Sequence, residues 1–418
     1  MDILIDQSLG RPSDDPIFSI NARARARRAS GGHVVNASLG ALLDDQGTLA
    51  VMPTVVEAFR AVPADRAAAY APIAGDAPFL EAVIDDVFGG SKLADTAVAA
   101  ATPGGTGALL NAMMNFIEPG QAMYTSSYYW SPYRIIAGHN LRSVDTFPMF
   151  AEDGTFDVAA FEAGLVAQLE RQGRALVILN FPCHNPTGYT LDEAEWHAVA
   201  AALARAAELG PVALLVDLAY AYFGSQDRHL WVRAVEPIAE KVTILAAWTA
   251  SKSFAQYGAR VGALVAAVPD PENRQQVANA MSFSCRGSWS NCNHLGILAI
   301  TSIMEDEGLR ARVDAERLAL VDLTTSRVDA FNRAASRLGL DYPRYEGGFF
   351  VTVFTPDSAV TAEIAEEKGV YVVPVAGAVR VALCAVPEAD VEHLVAAVAE
   401  GVDAARAKAG LIAGEARA

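Results

Sequence analysis

The chain has 418 residues, 52% of them hydrophobic and 19% charged, which is long enough for two domains with large cores and is a globular rather than a disordered composition. The formal net charge of −17 argues against a nucleic-acid partner. No apolar run reaches the length of a membrane span, so no membrane partner is expected either.

The chain opens Met-Asp-Ile-Leu-Ile-Asp, without the basic start of a secretory signal. Its first 45 or so residues hold many turn formers and no strong strand pattern. They read as an arm that belongs with a smaller domain and contacts another subunit. The cluster Arg23, Arg25, Arg27 and Arg28 reads as a solvated helix face or a subunit contact. From about residue 95 to 268, short apolar strands alternate with longer helical patterns. That alternation predicts a mostly parallel or mixed sheet covered by helices on both faces.

Within this stretch Thr102-Pro-Gly104-Gly105-Thr106-Gly107 precedes a helix with apolar Leu109, Leu110, Met113, Met114 and Ile117 on one face. Glycines leave backbone N–H groups open at a helix N-terminus, where the dipole favours an anion. The spacing is neither a Walker loop nor GxGxxG, and taken alone it also suits a purely structural turn. Ala175–Asn180 reads as a buried strand leading into Asn180-Phe-Pro-Cys-His184-Asn185-Pro-Thr-Gly188, a stiff loop at the usual ligand edge of an open α/β sheet. A helix is predicted over about 192–209, with Thr190 and Glu193 as its capping box and Gly210-Pro211 as its stop.

The next strand, 212–217, ends in Asp217, and Tyr220 follows three residues on. A buried carboxylate needs a cationic partner or several donors. The apolar run 242–247 leads into Trp248-Thr-Ala-Ser-Lys252, with Arg260 eight residues further. The chain has only five lysines, and Lys92, Lys241, Lys368 and Lys408 sit among charges or turn residues. Lys252 is set apart by its apolar approach and its flanking hydroxyls. Burial makes an amine a nucleophile suited to Schiff-base chemistry with a carbonyl compound. Residues 261–268 form a further apolar run. Residues 307–338 make one long helical stretch, followed by a Gly347-Gly348 turn, a strand over 349–354, a helix, two short strands and a last helix over about 387–409. The domain reading is therefore an arm and part of the small domain over 1–45, a large domain over 46–306 and a small α+β domain over 307–418.

An anion-binding turn, an amide, a buried carboxylate with a phenol, an isolated lysine and an arginine are the parts needed to hold pyridoxal phosphate. The carboxylate keeps the pyridinium protonated, the lysine bonds the aldehyde, and the arginine and glycine turn hold the phosphate. The four cysteines (Cys183, Cys285, Cys292 and Cys384) show no CxxC spacing and no disulfide density, which predicts reduced thiols in a cytoplasmic protein and no metal site.

The motifs Val35-Asn36 to Gly40, Asp44–Gly47, Tyr70–Gly75, Thr102–Leu109, His184–Gly188, Asp217–Tyr220, Thr249–Lys252, Arg260–Gly262, Arg286–Asn291 and Arg380 resemble those of the class I aminotransferases. These are fold type I pyridoxal-phosphate enzymes, and the similarity is closest to the aspartate and aromatic aminotransferase branch. The resemblance implies a cytoplasmic homodimer with shared active sites that moves an amino group between an acidic or aromatic α-amino acid and an α-keto acid. It implies that Lys252 is the Schiff-base lysine, that Asp217 pairs with the pyridine nitrogen, and that Asn185 and Tyr220 contact the ring oxygen. Gly104, Gly105, Thr106, Thr249 and Arg260 are implied to bind phosphate, joined by Tyr70 from the neighbouring subunit. Trp130, or Tyr128 or Tyr129 in its place, is implied to stack on the ring. Arg380 is implied to fork the substrate α-carboxylate, and Gly40 and Phe350 to line the substrate. Arg286 stands where the aspartate branch pairs a partner-subunit arginine with a side-chain carboxylate.

Three departures alter the substrate wall and not the cofactor residues. An asparagine of the family pattern is Pro132, Asn-Tyr-Ser-Asn-Pro-Pro becomes Ser288–Asn293, and the loop Pro374–Val379 is unusual. A pyridoxal-phosphate elimination, replacement or carbon–carbon bond-forming reaction on an activated amino acid is the alternative, because the fold does not choose the reaction. A ligand-sensing regulator is a third class, and the acidic charge argues against it.

Overall fold

The computed structural model describes residues 3–5, 8–11 and 16–410. The chain divides into two compact units. One holds Leu49–Thr325 and Pro343–Phe349, and the other holds the described residues up to Thr48, Ser326–Tyr342 and those from Phe350 onward. The sequence reading put a boundary before Glu307. The helix Glu307–Arg337 begins at that point and runs unbroken past Thr325, and its residues as far as Thr325 group with the large unit.

The large unit is built on a seven-stranded sheet. Its spatial order is Ala97–Pro103, Val261–Ala267, Val242–Thr249, Val212–Asp217, Ala175–Leu179, Ala122–Ser126 and Ser143–Phe147. Val261–Ala267 runs antiparallel to both neighbours, and the strands from Val242–Thr249 to Ser143–Phe147 are parallel. The central strands read as unbroken apolar runs because both faces are covered. Val177, Leu214, Val216, Ile244 and Val265 enter one core cluster, while their neighbours Ile178, Ala213, Leu215, Leu245 and Leu264 enter the other. The parallel strands end side by side, which puts Asn180, Asp217 and Thr249 at one carboxyl edge.

The helix Glu193–Ala206 follows the 175–179 strand, and its capping box differs from the expected one. Asp192 is the N-cap and accepts from the Glu195 N–H at 2.9 Å, while Glu195 accepts from the Asp192 N–H at 2.9 Å. Thr190 is used elsewhere, accepting the Cys183 N–H at 3.0 Å. The true pair has the same three-residue spacing two positions later. It prevails because an aspartate side chain caps at least as well as a threonine.

The small unit holds a three-stranded antiparallel sheet, ordered Val373–Val375, Ala378–Ala382, Phe350–Phe354. A two-residue parallel pairing joins Val35–Asn36 to Val370–Tyr371. The helices Pro16–Ala29, Ser358–Glu367 and Val391–Lys408 belong to this unit. The arginine cluster is not a bare solvated face. Arg23 forks Glu366 with two 2.8 Å bonds, Arg27 donates to the Glu366 and Glu367 carbonyls, and Arg28 donates to the Val34 carbonyl. Arg27 thereby caps the C-terminal end of Ser358–Glu367, where the last carbonyls lack helical partners, and Arg23 adds an ion pair on its last turn. Among the described residues no helix is long and apolar enough to cross a membrane.

Candidate active site

Lys252 lies in the one-turn helix Ala250–Ser253, entered directly from the Val242–Thr249 strand. Thr249 is the N-cap and accepts the Ser251 N–H at 3.2 Å. Lys252 is partly buried, whereas the other four lysines are exposed. Its Nζ lies 5.2 Å from the centroid of the Tyr220 ring. Tyr220 is itself 5% exposed, and its hydroxyl receives the Asn185 side-chain amide at 3.4 Å.

Asp217 is 5% exposed. Its Oδ2 accepts from the Tyr133 hydroxyl at 2.7 Å and its Oδ1 from the Ala219 N–H at 3.2 Å. Burial raises the carboxyl above its ordinary value; those two donors and the Lys252 charge act in the other direction. Two neutral donors do not replace a cation for a buried carboxylate, and a protonated pyridine nitrogen would supply one. Tyr133 carries no role in the sequence reading, although it sits in the motif around Trp130. Its fully buried hydroxyl, on the first turn of Pro132–His139, is what ties that motif to Asp217. Burial pushes this phenol well above its ordinary value, so it stays a donor.

Asn180 is a second residue the motifs passed over. Its amide donates to the Asp217 carbonyl at 2.9 Å, and its oxygen accepts the Asn185 N–H at 2.8 Å. One side chain thus joins two strand ends. His184 is buried, with Nδ1 2.8 Å from the Thr187 hydroxyl, and burial lowers its imidazole to about 3. It is a neutral brace of the loop.

The glycine turn meets Arg260 at close range. Gly104 has φ +71, and a Cβ there would stand 2.5 Å from an Arg260 terminal nitrogen. A Cβ at Gly105 would sit 3.6 Å from Thr249. Arg260 donates to the Pro103 carbonyl at 3.1 Å and to the Tyr257 carbonyl at 2.9 Å, and reaches the Ser251 hydroxyl at 3.4 Å. Ser251 also takes the Thr249 hydroxyl at 3.0 Å. Gly104, Gly105, Thr249, Ser251 and Arg260 therefore converge at the start of Gly104–Phe116, with Thr106 exposed in its first turn. Cation, hydroxyls and open N–H groups at a helix N-terminus are the donor set of a phosphate. A buried carboxylate, a partly buried lysine and this cradle fit pyridoxal phosphate.

The remaining residues divide between the units. Trp130 packs edge-on to Tyr133 at 5.7 Å, Tyr129 stacks parallel to Tyr133 at 6.3 Å, and Tyr128 turns toward Phe150. Tyr70 is 89% exposed, and exposed Arg286 donates to the Ser290 hydroxyl at 2.8 Å. In the small unit Arg380 is 7% exposed and donates to the Ser38 carbonyl at 2.7 Å. Its guanidinium lies 4.7 Å from the Phe350 ring centroid, and a Cβ on Gly40 would strike that ring at 2.6 Å. Arg380, Gly40 and Phe350 are thus one packed group.

Comparison with known proteins covers nearly the whole chain. The family described as "Aminotransferase class I and II" matches residues 32–398. A tyrosine aminotransferase of Klebsiella pneumoniae is 29% identical over 90% of this chain and 95% of its own. An aromatic-amino-acid aminotransferase of Pseudomonas aeruginosa is 29% identical over 87% of this chain and 92% of its own. A crystal structure of an aminotransferase from Anaerococcus prevotii superposes with a TM-score of 0.91 at 30% identity, covering 96% of this chain and all of that one. The chain belongs to the class I and II aminotransferases and is a pyridoxal-phosphate enzyme of fold type I that moves an amino group between amino acids and keto acids.

Proposed function

We propose that Lys252 is the lysine that bonds the cofactor and carries the proton, and that the substrates are aromatic or acidic α-amino acids. Pyridoxal phosphate, when bound, supplies an aldehyde for amines and a ring that accepts the electrons of a broken α-carbon bond. Lys252 Nζ would hold the cofactor by its aldehyde and, once released by the incoming amine, would accept and return the proton moved at the substrate α-carbon. Asp217 keeps a proton on the ring nitrogen. Asn185, Tyr220 and Trp130 would hold the ring of the cofactor in place. Gly104, Gly105, Thr106, Thr249 and Arg260 hold the phosphate. Arg380 forks the α-carboxylate with two parallel bonds, beside Gly40 and Phe350.

Tyr70 and Arg286 complete the site of a second protomer in a cytoplasmic homodimer. Their exposure in a single chain supports this reading, as does Phe283 at 81% exposed on the same helix as Arg286. The observation that carries the proposal is the proximity of Lys252 to Tyr220, in a unit where Asp217 lies buried without a full counter-charge.

The test is a titration of the cofactor-loaded enzyme with tyrosine, phenylalanine, aspartate and glutamate. The visible band of the bound cofactor is followed, and the products are identified by mass spectrometry. The expected result is loss of the band with release of the matching keto acid. A substituted product that retains nitrogen, or a keto acid released together with free ammonia and a leaving group, would favour the alternative chemistry. In Lys252→Ala, turnover is expected to fall by about 10⁴-fold, the upper range for a lost proton-transfer group.

A further inference from the structure

The cofactor residues leave a buried charged cluster behind the lysine turn without an assigned role. Asp86, on the helix Ala77–Phe88, is 4% exposed. Its carboxylate accepts from the Tyr222 hydroxyl, from the Trp248 indole N–H at 2.8 Å and from Arg228 at 3.1 Å. Arg317, 6% exposed, donates its Nε–H to the Ser253 carbonyl at 2.6 Å and pairs with Asp314. Its guanidinium lies 4.2 Å from the Tyr222 ring centroid and 5.1 Å from that of Phe254.

These contacts bracket the two turns that the chemistry needs. Trp248 stands four residues before Lys252, Ser253 and Phe254 directly follow it, and Tyr222 lies two residues after Tyr220. A four-residue helix has little stability of its own, and local N–H groups reach the Ala250 and Lys252 carbonyls but leave the Ser253 carbonyl to a partner from elsewhere. Arg317 supplies that partner as a charged donor, and such bonds are the stronger kind. Burying Arg317 and Asp86 is costly unless each is paired, and Asp314 and the part-exposed Arg228 supply the partners. Here the pairing ties the lysine turn and the tyrosine turn to one stack.

We propose that Arg317 is a positioning residue for the amino-group transfer: with Asp86 and Tyr222 it holds Lys252 Nζ in register with Tyr220 and the cofactor, without touching either reactant. The proposal rests on the assignment of Lys252 made above. A cavity of about 200 Å³ borders Arg317 on the side of Ile303, Met304 and Arg310. It gives small solutes access to any space that truncation leaves.

The test compares Arg317→Ala, Arg317→Lys and Tyr222→Phe in the cofactor-loaded enzyme. Arg312→Ala serves as a control, since that arginine lies on the same helix in an exposed 2.7 Å pair with Glu57. Arg317→Ala is expected to lower kcat about 10-fold or more with KM changed less than about threefold, because lost alignment acts on the reacting step. It is also expected to move the pH midpoint of the visible band by roughly 0.5 unit or more, which a mere brace would not do. Methylguanidine is expected to restore part of both, Arg317→Lys to fall between Ala and wild type, and Arg312→Ala to match wild type. If Arg317→Ala does not fold, Arg317→Lys and Tyr222→Phe decide by the same two readouts. Lowered thermal stability with wild-type kcat and midpoint would overturn the proposal. Borohydride reduction and peptide mapping separate the two levels. A label at Lys252 with unchanged kcat and midpoint sinks the positioning role alone, whereas a label on another lysine removes its foundation as well.

Discussion

The protonation of Asp217 is set by its burial and by its donors. Burial raises its carboxyl, so the folded chain holds the proton at pH values where the unfolded chain has released it. Stability of the cofactor-free protein therefore falls as pH rises from the ordinary carboxylate range, about 4, through the raised folded value. Asp217→Asn removes that penalty. Cofactor-free Asp217→Asn is expected to melt above wild type at neutral pH, with the gap closing below about pH 4. With cofactor bound the order is expected to reverse, because asparagine offers the ring nitrogen no charge. Calorimetry at several pH values, with and without cofactor, checks both signs. Tyr133→Phe leaves Asp217 one donor short, a loss of about 1–3 kcal/mol for a buried acceptor, and is expected to weaken cofactor affinity roughly 10-fold in an equilibrium titration.

At the level of elements, the glycine turn and the antiparallel strand beside it constrain each other. A Cβ at Gly262 would stand 2.5 Å from the Gly104 backbone carbon, which cannot step aside as a side chain can. Gly262→Ala is expected to cost about 1–3 kcal/mol, the range for overpacking, and to lower phosphate affinity by shifting the turn. Denaturant unfolding and cofactor titration read the two effects. Asp192→Ala is expected to cost about 1 kcal/mol through the lost N-cap without changing turnover, since its helix packs on Val158–Gln172 and Leu230–Val235, which carry none of the cofactor residues. The element sequence itself was largely legible. Runs such as 212–217 and 242–249 are apolar on both faces, and the glycine turns, prolines and caps punctuate them. The capping register was not, because Thr190/Glu193 and Asp192/Glu195 satisfy the same spacing and only the chain path chooses between them.

For the whole molecule, the exposed side chains in a single chain carry the proposed dimer. Phe283→Glu is expected to weaken self-association by about 2 kcal/mol, roughly 30-fold in the dimer dissociation constant, and to lower activity in parallel. Sedimentation across a concentration series checks it. The sequence by itself determined the class of protein, the layered α/β architecture and the identity of the cofactor. Each of these depends on local pattern: apolar periodicity, turn chemistry, and residue types whose charge suits one ligand. Tertiary structure alone decided which side chains support those residues. Tyr133 reaches Asp217 across 84 positions, and Arg317 reaches Ser253 across 64. No local spacing encodes such pairs; they arise from the crossovers that lay distant strand ends and helices side by side.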